Sequence, residues 1–129
     1  MNYIKTAIEG PVIIEPKVFY DHRGYFFESF SLREFEANVQ KINFVQDNES
    51  FSAERGVIRA LHFQKGEAAQ AKLIRVVQGR VLDVAVDIRP ESPTYGKYVS
   101  VELSAENKRM FFIPRGFAHG YLVLEDNTI

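Results

Sequence analysis

Short runs of alternating apolar and polar residues dominate the chain and predict β-strands rather than long helices. Turn-forming residues, such as those of Asp21–Gly24 and Pro90–Pro93, separate these runs. Many short strands at this spacing are typical of a sandwich or barrel. The predicted strands are Val12–Glu15, Tyr25–Ser29, Phe44–Ser50, Val57–Phe63, Lys72–Gln78, Arg80–Ile88, Tyr98–Leu103, Arg109–Ile113 and Gly120–Glu125.

One segment departs from the strand pattern and predicts a short helix. Ser31 and Glu34 have the spacing of a capping box, in which each residue satisfies a free backbone amide of the other. Leu32, Phe35 and Val39 fall on one face of this helix. We expect that face to pack against the outside of the barrel, which makes the helix structural.

Two strands place polar side chains where an interior would be apolar. Along Val81–Ile88, Asp83 and Asp87 share one face with Val81 and Ala85, and the other face is wholly apolar. Along the strand that ends at Phe63, strict alternation predicts Arg59 on one face and His62 on the other. A polar interior needs hydrogen-bond partners or a ligand, so these strands indicate a binding site.

Composition limits the classes of protein that fit. The 129 residues are 46% hydrophobic and 26% charged, which predicts one globular domain over residues 1–129. The formal charge of −1 argues against non-specific nucleic-acid binding, and no apolar run is long enough for a membrane span. Without cysteine, disulfides and thiolate chemistry are excluded. The first residues lack the pattern of a signal peptide, so the cytoplasm is the expected location.

The histidines are the first candidates for chemistry. Gly56-x5-His62 matches the opening of one cupin motif, and Pro114-x-Gly116-x-x-His119 matches the core of the second. Gln64 and Lys72 stand where metal-binding cupins carry a second histidine and a glutamate. An ammonium group at the carboxylate position opposes a divalent cation, so we predict a cupin fold without a metal site. His22 is expected to be a solvated turn residue.

The ordered motifs give a closer resemblance. Asp21-x-Arg23-Gly24-Tyr25-Phe26-Phe27-Glu28, Phe44–Asn48, Gly56–Gln64, Lys72–Gly79, Asp83–Arg89, Ser92–Gly96, Leu103–Asn107 and Ile113–Gly120 follow one another along the chain. Together they resemble the dTDP-4-dehydrorhamnose 3,5-epimerase family. The resemblance implies a cupin-type jelly-roll barrel, a dTDP-linked 4-keto-6-deoxyhexose as substrate and no cofactor. It also implies a homodimer in which N-terminal strands cross between subunits.

The resemblance assigns roles to individual residues. His62 matches the base that removes protons from carbons 3 and 5, and free histidine, with a pKa of about 6.5, suits this task. Lys72 matches the cation beside the keto oxygen, where it would stabilise an enolate. An aromatic side chain of Tyr25–Phe27 is a candidate for stacking on thymine. The residues that match substrate-binding positions are Arg23, Glu28, Gln46, Asn48, Arg59 and His119.

The sequence departs from the family at two points. Ala60 stands where the family usually has glycine. The family's C-terminal strands, with a tyrosine acid and the aspartate that orients the base, have no match, and Tyr121 lies in a different motif. We expect either a fragment of a longer gene product or a naturally shortened relative. An open barrel of this kind would expose strand edges and favour pairing with another chain.

Four functions stay open from the sequence. The first is epimerisation at both carbons, or at one of them only. The second is a non-catalytic domain that binds a dTDP-sugar through Arg23, Asn48 and Arg59. The third is a metal-dependent cupin, against which Gln64 and Lys72 argue. The fourth is a structural or sugar-recognition barrel in which His62 is a core residue.

Overall fold

The computed structural model describes all of residues 1–129, and strands make up most of its regular structure. The all-β prediction is therefore confirmed. The seven-residue α1 is the only α-helix, and no helix has the length and hydropathy needed to cross a membrane. The elements are β1 Asn2–Lys5, β2 Val12–Glu15, β3 Val18–Asp21, β4 Gly24–Phe27, α1 Leu32–Asn38, β5 Ile58–His62, β6 Lys72–Arg75, β7 Arg80–Asp87, β8 Tyr98–Ser104, β9 Met110–Ile113 and β10 Phe117–Val123, with a 3-10 turn at Gly66–Ala68.

Two four-stranded antiparallel sheets enclose the core. One sheet has the order β1-β2-β9-β6 and the other β5-β10-β7-β8, while β3 and β4 form a separate hairpin. Phe111 and Ile113 of the first sheet pack with Ala85, Leu103 and Val123 of the second in one buried cluster. The sheets face one another as in a jelly roll, but no strand pairing closes them into a continuous barrel.

Helix α1 packs on the outer face of the first sheet, as predicted. Ser31 is the N-cap, and its hydroxyl accepts a hydrogen bond of 3.4 Å from the Glu34 amide. The Glu34 side chain makes no return bond, so only half of the capping box forms. The buried Phe35 ring lies edge-on to Phe112, with centroids 5.2 Å apart. Leu32, predicted on the same apolar face, is 52% exposed because it begins the helix beyond the sheet.

One predicted strand is absent and two strands were missed. The segment Phe44–Ser50 is irregular, so that prediction was wrong. Its ends are held by side chains instead: the Phe44 ring packs edge-on to Phe35, and the Ser50 hydroxyl hydrogen-bonds the Tyr121 hydroxyl at 2.9 Å. The missed strands β1 and β3 are only four residues long and carry too few positions for a clear alternation.

A β-bulge in β5 changes which side chains share a face. Arg59 pairs with Tyr121 and His62 pairs with His119, so two residues of β5 lie opposite the single Gly120 of β10. Directly opposed residues project to the same side of a sheet, so Arg59 and His62 share the inner face. The prediction that they lie on opposite faces was wrong, because strict alternation does not survive an inserted residue.

Strand β7 carries its two aspartates inward. Asp83 and Asp87 are fully buried together with Val81 and Ala85, which confirms the predicted face. On the opposite face, the apolar Leu82, Val84 and Val86 are only half-buried. The Asp87 carboxylate is well satisfied, since Arg89 donates to both of its oxygens at 3.0 Å and the Ser92 hydroxyl donates at 2.6 Å.

Candidate functional site

A cavity of about 340 Å³ opens between the two sheets at one end of the sandwich. Strands β5 and β10 form one wall, and β6 and β9 contribute to the other. Backbone pairing fixes these walls, so the side chains that line the cavity start from well-defined positions. The lining residues are Leu61, His62, Phe63, Gln64, Gln70, Lys72, Ile113, Gly116, Phe117 and His119.

Three predicted site residues meet in this cavity. His62 and His119 are paired across the β5–β10 ladder, so the two imidazoles project from neighbouring positions on one face. Lys72 begins β6 on the facing sheet and pairs with Ile113. The cavity therefore combines two imidazoles with an ammonium group, which is a set able to remove a proton and to stabilise a developing negative charge.

His119 is hydrogen-bonded to a buried carboxyl group. Its Nε2 atom is 2.9 Å from Oδ2 of Asp83, and the two side chains are 9% and 0% exposed. Burial raises the pKa of the Asp83 carboxyl above its ordinary value. The hydrogen bond with His119 and the positive charges of His119 and Lys72 act in the opposite direction. The second oxygen of Asp83, Oδ1, is buried without a hydrogen-bond partner.

Asp83 was missing from the residues that the sequence assigned to the site. The alternation of β7 was the available signal, because it placed an acidic side chain on a face with valine and alanine. That signal did not distinguish Asp83 from Asp87, which has the same spacing and serves the loop after β7. Only the register of β7 and β10, in which Asp83 faces Tyr121, brings Asp83 to the histidine.

The remaining predicted residues lie outside the cavity. Arg59 shares the inner face with His62 but is exposed on the edge strand. Gln46 donates a hydrogen bond of 3.0 Å to Asn48 in the irregular segment before β5. Glu28 follows the β3–β4 hairpin and is exposed. The structure thus brings one predicted substrate-binding residue, His119, to His62 and Lys72, while the other predicted substrate-binding residues do not line this cavity within one chain.

Arg23 belongs to a second cavity, of about 510 Å³, formed by the hairpin itself. At the hairpin turn its guanidinium group contacts the Asp21 carboxylate at 2.6 Å. Phe19 and Phe26 are paired on one face of the hairpin and are 55% and 73% exposed. No residue lines both this cavity and the one between the sheets.

The other face of the hairpin rests on the protein through cation–π contacts. The Lys108 ammonium group lies 4.2 Å from the Tyr25 ring centroid and 6.0 Å from that of Tyr20. The Arg75 guanidinium group lies 5.6 Å from the centroid of Phe27. Such contacts orient the hairpin without pairing its backbone to either sheet.

No group of three or more histidine, cysteine or acidic side chains is arranged to hold a metal ion.

Comparison with known proteins identifies the family. A model of the dTDP-4-dehydrorhamnose 3,5-epimerase family matches residues 5–129. The chain belongs to this epimerase family. An epimerase of this name from Shigella flexneri is 59% identical over 129 residues, covering 99% of the chain and 71% of the relative.

Solved structures of epimerases agree with the fold. A 3,5-epimerase from Legionella pneumophila in complex with dTDP-4-keto-L-rhamnose is 51% identical, with a TM-score of 0.92 over 98% of the chain and 67% of that structure. A 3'-monoepimerase from Streptomyces bikiniensis in complex with dTDP-quinovose is 33% identical, with a TM-score of 0.86 over 97% of the chain and 64% of that structure. The predicted jelly-roll fold is therefore confirmed.

Proposed function

We propose that the protein epimerises dTDP-4-dehydro-6-deoxyglucose at carbons 3 and 5 to give dTDP-4-dehydro-L-rhamnose. The observation that carries the proposal is the meeting of His62, Lys72 and His119 in one cavity of a chain 59% identical to a 3,5-epimerase. The Legionella pneumophila relative in complex with dTDP-4-keto-L-rhamnose supports the same class of ligand.

The proposed chemistry is a pair of proton transfers beside a ketone. His62 takes the proton from carbon 3 or carbon 5, and the electron pair of the broken C–H bond moves into an enolate at carbon 4. The Lys72 ammonium group stabilises the enolate oxygen, which carries the negative charge. An acid or a water molecule on the other side of the sugar then donates a proton to the same carbon, which inverts that centre, and His62 releases the proton it took to solvent. Each step is balanced without an oxidant or a metal, so the chemistry requires no cofactor.

We propose that substrate binding involves a second copy of the chain. Phe19 and Phe26 lie on an exposed hairpin face, and Arg23 lies at its turn, away from His62. A homodimer in which the hairpin reaches the partner's cavity would bring these residues to the nucleotide. Arginine suits the pyrophosphate because its planar fork donates two parallel hydrogen bonds. Glu28, Gln46, Asn48 and Arg59 are the further candidates for holding nucleotide or sugar.

Proton NMR in deuterium oxide tests the reaction directly. Incubation with dTDP-4-dehydro-6-deoxyglucose should remove the signals of the protons on carbons 3 and 5 and replace them with deuterium. His62→Ala should abolish this exchange. His22→Ala is the matched control, because His22 lies in the hairpin turn and lines neither cavity. Exchange that persists in His62→Ala would falsify the assignment of the base.

The NMR measurement and a binding measurement together separate the alternative functions. Exchange at one carbon only would indicate a monoepimerase, like the Streptomyces bikiniensis relative that is 33% identical. Binding of dTDP by calorimetry without exchange would indicate a non-catalytic dTDP-sugar-binding protein. A cytoplasmic location stays a prediction of the sequence, and fractionation of cells that produce the protein would test it.

A further inference from the structure

Asp83 is an unusual residue for the centre of a buried strand. Its side chain has no exposure, and its neighbours on the inner face are Val81 and Ala85 along β7 and Val101 across β8. His119 provides its only hydrogen bond, and Oδ1 has none. A buried carboxylate oxygen without a partner is unfavourable for folding, so the residue is not explained by stability alone.

Asp87 provides the comparison within the same strand. It lies four residues along, on the same face and equally buried. Both of its oxygens accept hydrogen bonds, from Arg89, Ser92 and the hydroxyl of Thr94, and these bonds fix the loop after β7. The fold therefore satisfies a buried aspartate where the role is structural. Asp83 is half-satisfied, and its one partner, His119, lines the cavity.

We propose that Asp83 is a positioning residue that sets the proton and orientation of His119 for the substrate. This inference rests on the proposed function. A carboxylate only accepts hydrogen bonds, so its contact with Nε2 requires the proton to lie on that nitrogen. In neutral His119 the proton is then absent from Nδ1, which makes no hydrogen bond and is not among the fully buried unpartnered atoms. Neutral His119 therefore has a defined hydrogen-bond acceptor, Nδ1, for a ligand in the cavity.

The charges around Asp83 support this role. The titratable groups on the inner face near it are His119 and Tyr121 on β10, Lys72 on β6, and Arg59 and His62 on β5. Asp83 is opposed by apolar Val101 on β8, and the inward residues of β9 are Phe111 and Ile113. Asp83 is therefore the one acidic side chain among these inner-face groups. Its negative charge offsets the positive charge of the Lys72 ammonium group, which is proposed to stabilise the enolate.

Asp83→Asn tests the inference with almost no change of shape. Its amide can donate to Nε2 and so shift the proton of neutral His119 to Nδ1. We expect kcat/KM for exchange to fall about 10- to 100-fold, as is typical when a group that orients a histidine is lost. In the ligand-free protein, the 15N shifts of His119 should move from the Nε2-protonated to the Nδ1-protonated pattern, with His119→Gln used for assignment.

Asp87→Asn is the matched control, from the same strand, face and burial. It should lower the melting temperature while leaving the His119 shifts and kcat/KM unchanged. If Asp83→Asn also leaves both unchanged, or changes only the melting temperature, the inference is wrong. The ring-nitrogen shifts do not depend on turnover. A wild-type protein without exchange activity would therefore contradict the proposed function, while the shifts would still decide whether Asp83 sets the His119 proton.

Discussion

The cavity between the sheets and the β3–β4 hairpin carry the predicted site residues in two different ways. The cavity is walled by strands of both sheets, and Phe117 in its lining is also part of the buried core. The hairpin pairs only with itself and touches the protein through Lys108 and Arg75. The comparison shows that the groups proposed for proton transfer lie on the two packed sheets, here called the frame. Those proposed to bind the nucleotide lie on the projecting β3–β4 hairpin, here called the arm.

Replacement of Lys72, which lies in the cavity of the frame, should cause the largest loss of activity. Lys72→Met keeps the aliphatic stem but removes the charge at the enolate. We expect kcat to fall about 10²- to 10³-fold, the usual loss when one oxyanion donor is removed. Initial rates measured by NMR at saturating substrate give kcat. Lys41→Met, at an exposed position, is the control. A fall in both variants would mean that the effect is not specific to the cavity.

The acid stability of the frame should depend on Asp87. Hydrogen bonds from Arg89 hold the pKa of its carboxyl well below the ordinary value. A lowered folded pKa means that this stabilisation is full above the unfolded pKa of about 4 and is lost as the pH falls below it. Asp87→Asn should lower the free energy of unfolding at pH 7 by on the order of 2 kcal/mol.

Urea unfolding at pH 7 and at pH 3 measures the effect. The difference between wild type and Asp87→Asn should shrink at the lower pH, because the wild-type carboxylate is losing its advantage there. Asp47→Asn, at an exposed position, provides the control. A difference between wild type and Asp87→Asn that stays constant with pH would contradict the role given to the Asp87 charge.

Truncation on the arm should affect binding rather than folding. Phe26 is 73% exposed, so Phe26→Ala removes little buried surface. If the ring stacks on the nucleotide base in a dimer, KM should rise about tenfold, since stacking of a base on an aromatic ring contributes about 1–3 kcal/mol. Tyr95→Ala removes another exposed ring (59%) and serves as the control. If Phe26→Ala changes neither KM nor the sedimentation coefficient, the arm does not contribute to substrate binding.

The smallest effect on KM should follow from removing the cation–π contact between Lys108 and the arm. Lys108 has a positive φ of 55°, a conformation that asparagine tolerates, so Lys108→Asn removes the cation without new backbone strain. Lys108 is buried while the Tyr25 ring is 59% exposed, and a cation–π contact of this kind contributes on the order of 1 kcal/mol, so KM should rise about fivefold with kcat unchanged. Lys108→Arg, which keeps the cation, should restore KM; if it does not, the contact with Tyr25 is not what orients the arm.

Much of the fold followed from the sequence because strand periodicity and turn residues are local signals. The long strands β7 and β8 and the buried face of β7 were predicted close to their observed bounds. The Phe44–Ser50 segment was wrongly predicted as a strand, and its only apolar residues, Phe44 and Val45, are adjacent rather than alternating. Its anchors are the distant Phe35 and Tyr121 rather than a neighbouring strand. Long-range side-chain contacts of this kind leave no local pattern.

The site was predictable in part for the same reason. His62, Lys72 and His119 stand in motifs of fixed spacing, and the structure brings them together. The place of Arg59 relative to His62 depends on pairing with β10, which strict alternation could not supply. Asp83 required the register of two strands that are 30 residues apart along the chain at their nearest ends.

The bulge in β5 makes the site depend on residue count as well as residue type. Arg59 and His62 both reach the inner face only because one extra residue stands between them. A further single-residue insertion at Ala60 would turn one of the two outward even though every side chain was kept. Position 120 is tied to the same feature, since any Cβ there would lie 2.8 Å from that of Ala60. Among relatives, insertions and deletions in β5 should therefore separate functional classes more sharply than substitutions do, and a change at one of these two positions should be accompanied by a change at the other.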